Sequence, residues 1–580
     1  MSARSTDPLA AAAAGVALTE ASNLSHLLAA RLAATPEHTA YRQYDGGRWF
    51  TMTWTEVAHE VARWQAALRA AGLSPGDRVA LCLRNRVEWV LFDQAAIGLG
   101  LVTVPLYFDD RADNMAWCLN DSGARFLLLE NAAQWQGLRD QVRTVEKVVC
   151  LGGHVPDDAR VQRLADWAPP GRHALERSNA VPQELATIVY TSGTTGRPKG
   201  VMLSHRNILS NVLACSKVVE LTPQDVSVSF LPLSHMFERT VGYYLNMYRG
   251  VQVAFARSIS QLAEDLRIHK PTILVAVPRV FERIWGAMQQ VLPPGSPRRR
   301  LLDKAIEVGW RRFRGEASWQ DRLLWPVLEA LVARKLHERL GGRVRTISVG
   351  GAAFPPELAR VFIGLGLNIL QGYGLTEAAP VLTTNRPEDN DPFSVGRPIE
   401  GVELRCAENG ELLARGPNVM LGYWNNPEAT RTVLDADGWL HTGDLARIRD
   451  GRVYLRGRLK DIIVLSNGEK VPPEDAEQAI LGDPVFEHAM LIGEGRPYLG
   501  LVCVSKVADL GELCRRANAQ LHAFPGYARV RYVARVPGPW TVENGLLTPT
   551  LKLKRKQVEQ RFAREIEAMF AGPSPCAAAK

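Results

Sequence analysis

The chain has 580 residues, of which 46% are hydrophobic and 22% charged, and its formal net charge is +8. A chain of this length exceeds the size at which one hydrophobic core stops growing, so we expect at least two globular domains. The eight cysteines form no C-x-x-C pair and accompany no histidine cluster, which argues against a structural zinc site and favours a reducing, cytoplasmic compartment.

The N-terminal stretch LAAAAAGVAL has the apolar character of a signal peptide. Only one basic residue, Arg4, precedes it, and an ordinary helical pattern follows, so we interpret residues 1–24 as a disordered N-terminal segment. No run reaches the ~18 uncharged apolar residues that a spanning helix needs, which predicts a protein that is not integral to a membrane.

From residue 25 onward, helical patterns alternate with short β-like runs, for example the helix pattern of 53–73 and the strands of 78–83 and 100–107. The alternation resumes over residues 185–370. This order predicts parallel strands covered by helices, and hence an α/β fold with two layered α/β subdomains inside a large N-terminal domain, residues 25–457.

Residues 298–345 contain 13 basic and 6 acidic residues, which is nearly the whole excess charge of the chain. Arginines and three tryptophans alternate there with helical apolar spacing. The pattern is typical of a helix on an anionic membrane surface, and also of a solvated helical hairpin. It lacks a basic-aromatic binding module, so we do not expect nucleic acid as a partner.

After residue 377 the pattern changes to short strands and Gly-containing turns, including Asn409–Gly410, which predicts a β-rich, barrel-like subdomain. Residues 458–570 carry their own mixture of strand and helix patterns and are predicted to form a small mobile α+β C-terminal domain. The last residues, 571–580, have the composition of a disordered tail.

The stretch YTSGTTGRPKG follows an apolar run and concentrates glycines, hydroxyl side chains and one lysine, Lys199. Glycine allows backbone N–H groups to converge on an anion, and small hydroxyls add donors, so the stretch predicts a phosphate-binding loop. It is not a Walker loop, because Gly196 is followed by Arg197 rather than by lysine.

This stretch resembles the signature loop of the adenylate-forming superfamily, which contains acyl-CoA synthetases, adenylation domains and luciferases. Five further motifs of that superfamily follow in order: SVGGAAF, QGYGLTE, HTGD, GRLKD and a late lysine in NGLLTPTLKLKR. The segments FLPLSHMFERT and VPRVFERIW are similar to the long-chain fatty acid–CoA ligase branch. The resemblance covers residues 25–565.

The resemblance implies Mg²⁺ as cofactor, ATP and coenzyme A as co-substrates, and roles for individual residues. Glu377 and Thr195 would hold the metal ion, and Thr376 would contact the α-phosphate. Asp444 and Arg458 would bind the ribose. The full set of implied ATP- and AMP-binding residues is Thr191, Ser192, Gly193, Thr194, Thr195, Gly196, Lys199, Gly350, Gly351, Ala352, Gln371, Gly372, Tyr373, Gly374, Thr376, Asp444, Arg458 and Lys552.

The resemblance also implies that Lys552, with Glu377 and Thr376, is catalytic, although Lys554 is a second candidate in the same stretch. The small domain would rotate about a hinge at Lys460, because a lysine lying beside the acyl carboxylate would obstruct a thiol. The alternative interpretation is that Lys460 is an exposed lysine without a role.

His235 would line the acyl pocket near the carboxylate, or it is a hydrogen-bonded structural residue. Phe237, Tyr243, Tyr244 and Met247 could line an alkyl tunnel or pack in the core. The implied function is conversion of a long-chain fatty acid to acyl-AMP and then to acyl-CoA. Alternatives are a fatty-acyl-AMP ligase that delivers to a carrier-protein thiol, and a non-catalytic acyl-nucleotide binder at membranes. Peripheral membrane association would use residues 298–345.

Overall fold

A computed structural model describes residues 18, 22–168, 170–191, 197–522, 524–548 and 552–572. The described strands are, in chain order, β1 (Thr39–Asp45), β2 (Arg48–Thr53), β3 (Arg78–Cys82), β4 (Val102–Pro105), β5 (Phe126–Asn131), β6 (Lys147–Gly152), β7 (Val161–Arg163), β8 (Leu185–Thr191), β9 (Lys199–Ser204), β10 (Val226–Ser229), β11 (Gln252–Phe255), β12 (Ile273–Ala276), β13 (Thr346–Val349), β14 (Ile369–Gly374), β15 (Val381–Thr384), β16 (Arg397–Pro398), β17 (Glu403–Cys406), β18 (Glu411–Arg415), β19 (Gly422–Tyr423), β20 (Leu440–Arg449), β21 (Arg452–Arg458), β22 (Ile463–Val464), β23 (Lys470–Val471), β24 (Phe486–Ile492), β25 (Leu499–Ser505) and β26 (Val530–Arg535).

The described α-helices surround and separate the sheets. They are α1 (Ser25–Ala34), α2 (Trp54–Ala70), α3 (Val87–Gly98), α4 (Ala112–Ser122), α5 (Ala132–Gln136), α6 (Leu164–Trp167), α7 (His205–Cys215), α8 (Leu245–Arg249), α9 (Leu262–His269), α10 (Pro278–Val291), α11 (Pro297–Phe313), α12 (Trp319–Leu328), α13 (Arg334–Arg339), α14 (Pro356–Gly364), α15 (Pro427–Val433), α16 (Pro473–Leu481), α17 (Leu510–Gln520), α18 (Arg555–Arg561) and α19 (Ala563–Ala571). Wider π-helical turns, Glu238–Tyr244 and Glu329–Ala333, precede α8 and α13.

Two large sheets form the N-terminal part, as the α/β prediction requires. One has the strand order β19-β9-β8-β4-β3-β5-β6-β7, and the other has the order β16-β15-β14-β13-β12-β10-β11-β1-β2. The inner pairs, such as β3 with β5 and β12 with β13, are parallel. The mixed α/β architecture and the parallel strands predicted from the alternation are therefore confirmed.

The two sheets do not follow the division expected from chain order. β1 and β2 come early in the chain but pair into the second sheet, where Tyr41 lies opposite Val253 of β11. β8 and β9 come later but join the first sheet, where Thr187 of β8 lies opposite Thr103 of β4. Each sheet therefore contains strands from both halves of the large domain, and the two halves cannot separate without breaking a sheet.

The β-rich region that follows is an antiparallel sheet with the order β17-β18-β20-β21. The predicted Asn409–Gly410 turn joins β17 to β18, with Gly410 at a φ of 84°. On the outer side of β21, Val453 exchanges two backbone hydrogen bonds of 2.9 Å with Val395 and Gly396, which precede β16. The barrel-like closure of this region stays a prediction. Asp444 of β20 lies opposite Arg458 of β21.

The C-terminal region contains a three-stranded sheet, β24-β25-β26, covered by helices, in agreement with the predicted α+β fold. Helix α19 extends to Ala571, one residue past the predicted boundary. At the other end, residues 22–24 were expected to be disordered, but Asn23 and Leu24 are buried. The Asn23 amide donates to the carbonyls of Ser178 and Ala180, which fixes this segment. The remaining parts of both predicted disordered ends, apart from residues 18 and 572, lie outside the described residues.

Across the part of the chain that the structure describes, no helix is both long enough and apolar enough to cross a bilayer.

Candidate active site

A cavity of about 620 Å³ lies between the large N-terminal region and the C-terminal region. It receives side chains from the ends of β8, β13 and β14, from the β20–β21 pair, and from the segment that carries the late lysines. The predicted site residues that line it are Thr191, Lys199, His235, Gly350, Gly351, Gly372, Tyr373, Gly374, Thr376, Glu377, Arg458, Lys460 and Lys552. Residues more than 300 positions apart in the chain therefore share one space.

The glycine-rich stretch connects two antiparallel strands. Thr191 at the end of β8 lies opposite Lys199 at the start of β9, so the strands on either side of the stretch pair antiparallel, and the element that follows it is a strand rather than a helix. The predicted phosphate-binding residues 192–196 lie outside the described residues. The base of the hairpin is fixed by Tyr190, whose hydroxyl donates to Asp121 Oδ2 at 2.6 Å. Lys199 Nζ lies 5.1 Å from the ring centre of Tyr423.

Glu377 lies in a short 3-10 turn, Thr376–Ala378, that follows β14. Its carboxylate accepts a hydrogen bond from the Tyr423 hydroxyl at 2.8 Å. Burial, together with the charge of Glu377, raises the pKa of Tyr423, so the phenol stays a neutral donor. The carboxylate faces the cavity from a fixed position, and carboxylate oxygen is a preferred ligand for Mg²⁺.

Asp444 and Arg458 form an ion pair, with 3.1 Å between Arg458 Nε and Asp444 Oδ1. Tyr373 donates its hydroxyl to the other carboxylate oxygen at 2.6 Å. Asp444 is buried just behind the cavity wall, while Tyr373 and Arg458 line the cavity itself. Burial raises the pKa of Tyr373, and the Asp444 charge adds to this, so the phenol remains a donor.

Two glycines near the predicted adenine site, Gly374 and Gly351, are required for different structural reasons. A Cβ on Gly374 would lie 1.9 Å from the carbonyl oxygen of Pro380, so this glycine is required by the close packing of β14 against the following turn. Gly351 has a φ of 81° and an exposed backbone at the cavity wall. Its conformation favours glycine, and the missing side chain leaves the backbone accessible to a flat ligand.

Lys552 is presented by a hairpin of the C-terminal region. The backbone N–H of Thr548 donates to the Lys552 carbonyl at 2.8 Å, and the Lys552 N–H donates to Thr548 Oγ1 at 3.0 Å. Arg555 anchors the base of this hairpin, since its guanidinium donates to the buried Glu477 at 2.7 Å and to the Leu491 carbonyl at 2.6 Å. The position of Lys552 is thus set by buried contacts.

The Lys552 ammonium lies among charges of both signs. Desolvation by the surrounding protein, followed by repulsion from Arg458, lowers the pKa of Lys552, and this outweighs attraction from Glu474, Asp444 and Glu377. The side chain remains exposed because it points into the open cavity. Such a group gains strongly from an added anion.

Besides Asp444, three predicted residues among those described do not line the cavity. Lys554, the alternative late lysine, caps α18 and is not among the described residues that line the cavity. Ala352 is exposed and Gln371 is buried, and neither lines it. The nucleotide-binding roles of Ala352 and Gln371 stay predictions.

His235 lines the cavity close to Lys552. Burial, with repulsion from Lys552, lowers the pKa of His235 to about 4, so the imidazole is neutral at physiological pH. Its Nδ1 accepts the backbone N–H of Phe237 at 3.2 Å, which places the ring proton on Nε2. His235 is therefore hydrogen-bonded and also lines the cavity as a neutral donor, while its role beside an acyl carboxylate stays a prediction.

From His235 the cavity continues into an apolar part. Its walls come from the end of α7, the π-helical turn and the neighbouring strands, and they include Cys215, Val218, Val219, Leu221, Phe237, Val241, Leu245, Ile273, Leu274, Val275 and Leu370. This part is suited to a hydrocarbon chain and offers few hydrogen-bonding partners.

Of the four aromatic and aliphatic residues with two open interpretations, only Phe237 is among the described residues that line the cavity. Tyr243 and Tyr244 are fully buried, and both donate their hydroxyls to Asp93. Asp93 also pairs with the buried Arg239. Met247 belongs to the same core, so these three residues pack between the sheets.

Sequence reasoning did not identify a histidine–carboxylate pair in the cavity wall. His441 Nδ1 lies 3.0 Å from Glu411 Oε2, and the other Glu411 oxygen accepts the N–H of Gly443 at 2.9 Å. Glu411 thereby ties β18 to the part of β20 that precedes Asp444. The HTGD motif contains His441, but its partner lies 30 residues earlier, and no local pattern connects them.

Comparison with known proteins identifies the family. The sequence profile described as "AMP-binding enzyme" matches residues 28–424, and that described as "AMP-binding enzyme C-terminal domain" matches residues 460–574. The chain belongs to the AMP-binding enzyme family. The resemblance to the adenylate-forming superfamily, based on six motifs, is therefore confirmed.

Relatives of this AMP-binding enzyme share most of its length. It is 32% identical over 570 residues to the "Long-chain-fatty-acid--CoA ligase FadD15" of Mycobacterium bovis, covering 92% of this chain and 95% of the relative. It is 27% identical to the "Long-chain-fatty-acid--[acyl-carrier-protein] ligase AEE15, chloroplastic" of Arabidopsis thaliana, over 90% of this chain and 83% of the relative. The predicted similarity to the long-chain fatty acid–CoA ligase branch is confirmed.

A solved structure shows the same fold. The O-succinylbenzoate coenzyme A synthetase of Bacillus subtilis, in complex with ATP and magnesium ion, matches with a TM-score of 0.70 and 22% identity, covering 92% of this chain and 99% of that chain. The large N-terminal and small C-terminal arrangement is thus a fold of this family.

Proposed function

We propose that the protein activates a long-chain fatty acid with ATP, forming acyl-AMP and pyrophosphate, and then transfers the acyl group to coenzyme A, releasing AMP. One observation supports this most directly. The Lys552 hairpin of the C-terminal region borders the same cavity as Glu377 and Arg458, the ion-pair partner of Asp444, and that cavity continues into an apolar part. A site that only bound nucleotide would require neither the late lysine nor the apolar part.

The polar part of the cavity provides a group for each portion of ATP. Thr191 and Lys199, which line the cavity, would contact the β- and γ-phosphates together with residues 192–196. Gly350, Gly351 and Tyr373 would border the adenine, and Asp444 would accept from the ribose hydroxyls.

Mg²⁺ would be held by Glu377 together with Thr195. The Glu377 carboxylate faces the cavity and is fixed by Tyr423, which fits the hard oxygen ligands that this ion takes. When bound, the ion neutralises phosphate charge.

In the first half-reaction a carboxylate oxygen of the acid attacks the α-phosphorus, and the bond from this phosphorus to the pyrophosphate oxygen breaks. Thr376 and Lys552 both line the cavity and would contact the α-phosphate. The Lys552 ammonium stabilises the negative charge that develops on the transferring group. His235, with its proton on Nε2, donates to the acyl carboxylate and orients it.

In the second half-reaction the coenzyme A thiolate attacks the acyl carbon, and AMP leaves. Lys552 would obstruct that approach, so the C-terminal domain, residues 458–570, rotates about Lys460. Lys460 is exposed and lies two residues after Arg458, at the point where the chain leaves β21.

A carrier-protein thiol is the second candidate acceptor, because one relative is named as a ligase for acyl carrier protein. The two acceptors differ in a simple measurement. A coenzyme A ligase consumes free coenzyme A, whereas a carrier ligase stops at acyl-AMP until its carrier protein is added.

The deciding experiment measures pyrophosphate and AMP release with fatty acids of increasing length, with and without coenzyme A, in the presence of Mg²⁺. We expect release to rise with chain length, because each buried CH₂ adds about 0.8 kcal/mol until the apolar part is filled. AMP release should require coenzyme A. If no acid yields pyrophosphate or AMP, the proposed function is wrong.

A further inference from the structure

Helix α12 exposes a continuous apolar face to solvent. Trp319 and Leu323 are each 70% exposed, and Val327 and Leu331 follow at the same spacing of four residues. Residues spaced by four lie on one side of a helix, so these side chains form one stripe, continued into the π-helical turn. We call this stripe the α12 face.

The opposite side of the same helix is also apolar. Trp325 and Leu328 are buried in the hydrophobic core beneath the second sheet. A helix that is apolar on both sides is normally covered on both sides, and exposed apolar patches of this kind mark interaction sites. We therefore expect another molecule to cover the α12 face.

Positive charge borders the α12 face. Arg322, Arg334 and Lys335 are exposed beside it, within the segment that carries most of the excess charge of the chain. Arg299 at the start of α11 is less suited to this role, since it is engaged by Asp303 and by the ring of Trp285.

We propose that the α12 face inserts into the headgroup region of an anionic lipid bilayer, with Arg322, Arg334 and Lys335 contacting lipid phosphates. An apolar stripe with a tryptophan, bordered by cations, is the composition of helices that lie in the membrane interface. A second copy of this chain fits less well, because a two-fold contact through this face would bring the same three cations together from both subunits.

The location would serve the enzyme because long-chain acids reside in membranes, and this use rests on the proposed function. The assignment of the α12 face as a membrane-binding surface rests only on the exposure of its side chains and on the neighbouring positive charge. Vesicle binding and turnover are therefore measured separately, so that failure of one is distinguishable from failure of the other.

The test compares the full chain with two variants by co-sedimentation with vesicles of phosphatidylcholine, with or without phosphatidylglycerol. W319Q/L323Q removes apolar surface, and R322E/R334E/K335E reverses the bordering charge. Matched controls are V181Q/I259Q, which alters apolar residues with 52% and 53% exposure outside the segment, and K506E/R529E/R564E, which alters exposed cations of the C-terminal region.

We expect the wild-type chain and both controls to bind anionic vesicles, and to bind less as salt increases. Both α12 variants should bind at least about tenfold more weakly, while their turnover of a short, water-soluble acid stays at the wild-type rate. Equal vesicle binding by W319Q/L323Q would overturn the proposal. So would a wild-type dimer in solution that this variant converts to a monomer, which would assign the face to a second copy.

Discussion

Replacement of Lys552 by alanine tests the proposed chemistry most sharply. The contacts that shape its hairpin are made by the backbone of Lys552 and by Thr548, so they persist in the variant. The side chain itself is exposed in the cavity. We therefore expect Lys552→Ala to fold normally and to lose only the ammonium group.

The expected loss follows from the environment of that group. Removal of one preorganised donor from a developing charge typically costs about 10²–10³ in rate, which corresponds to about 3–4 kcal/mol. Desolvation by the surrounding protein and repulsion from Arg458 lower the pKa of Lys552, so its ammonium is stabilised by a neighbouring phosphate. ATP–pyrophosphate exchange should fall by this factor, whereas thioester formation from preformed acyl-AMP should stay near the wild-type rate.

Lys554→Ala is the matched control, because Lys554 lies two residues away and outside the cavity lining. Its exchange rate should equal that of the wild type. Normal exchange in Lys552→Ala, or a loss that appears in Lys554→Ala instead, would refute the assignment.

Three further outcomes are expected. Glu377→Gln should need a higher Mg²⁺ concentration for half-maximal pyrophosphate release, while its fold is kept because Tyr423 can still donate to the amide oxygen; an unchanged Mg²⁺ requirement would contradict the metal role. Asp444→Asn should raise the KM for ATP about tenfold or more, since one charge-assisted hydrogen bond to the ribose is lost; steady-state kinetics at saturating acid measures this, and an unchanged KM would count against it. Burial raises the pKa of Glu238 to about 8 in the folded chain, whereas the pKa of an ordinary Glu in the unfolded chain is ~4.3. The carboxyl group therefore stays protonated in the folded chain at pH values where it has already lost its proton in the unfolded chain. Its contribution to the free energy of unfolding is fully present below pH ~4.3 and is lost as the pH rises towards about 8. Glu238→Gln should therefore unfold at a higher urea concentration than the wild type at pH 8, with a smaller difference at pH 5, and a gap that does not grow with pH would refute this.

The strands and helices of the α/β region could be predicted because burial leaves a local period in the sequence. Residues 78–83, for example, predicted a strand that the structure places at Arg78–Cys82. The assignment of strands to sheets could not be predicted in the same way. Tyr41 pairs with Val253, more than 200 residues away, and no periodicity within β1 identifies that partner.

In the candidate site, too, some residues could be predicted from local sequence patterns and others could not. The motifs identified residues such as Glu377 and Lys552, which both line the cavity, because each of them lies within a short local sequence pattern. The groups that hold them were missed: Tyr423 fixes Glu377 from 46 residues away, and Glu477 anchors the Lys552 hairpin through Arg555, 78 residues later. These partners are chosen by tertiary packing, which leaves no signature beside either residue.

The charges around the cavity suggest how the two half-reactions are kept in order. Lys199, Arg458, Lys460 and Lys552 all line it, and Arg458 contributes to the lowered pKa of Lys552. Under the proposed reaction, a bound triphosphate attracts these cations and favours the arrangement with Lys552 inserted. Departure of pyrophosphate removes most of that negative charge, so the repulsion between Lys552 and Arg458 returns. The same charges that assemble the site for adenylation would then favour withdrawal of the hairpin, which opens the acyl carbon to the thiol.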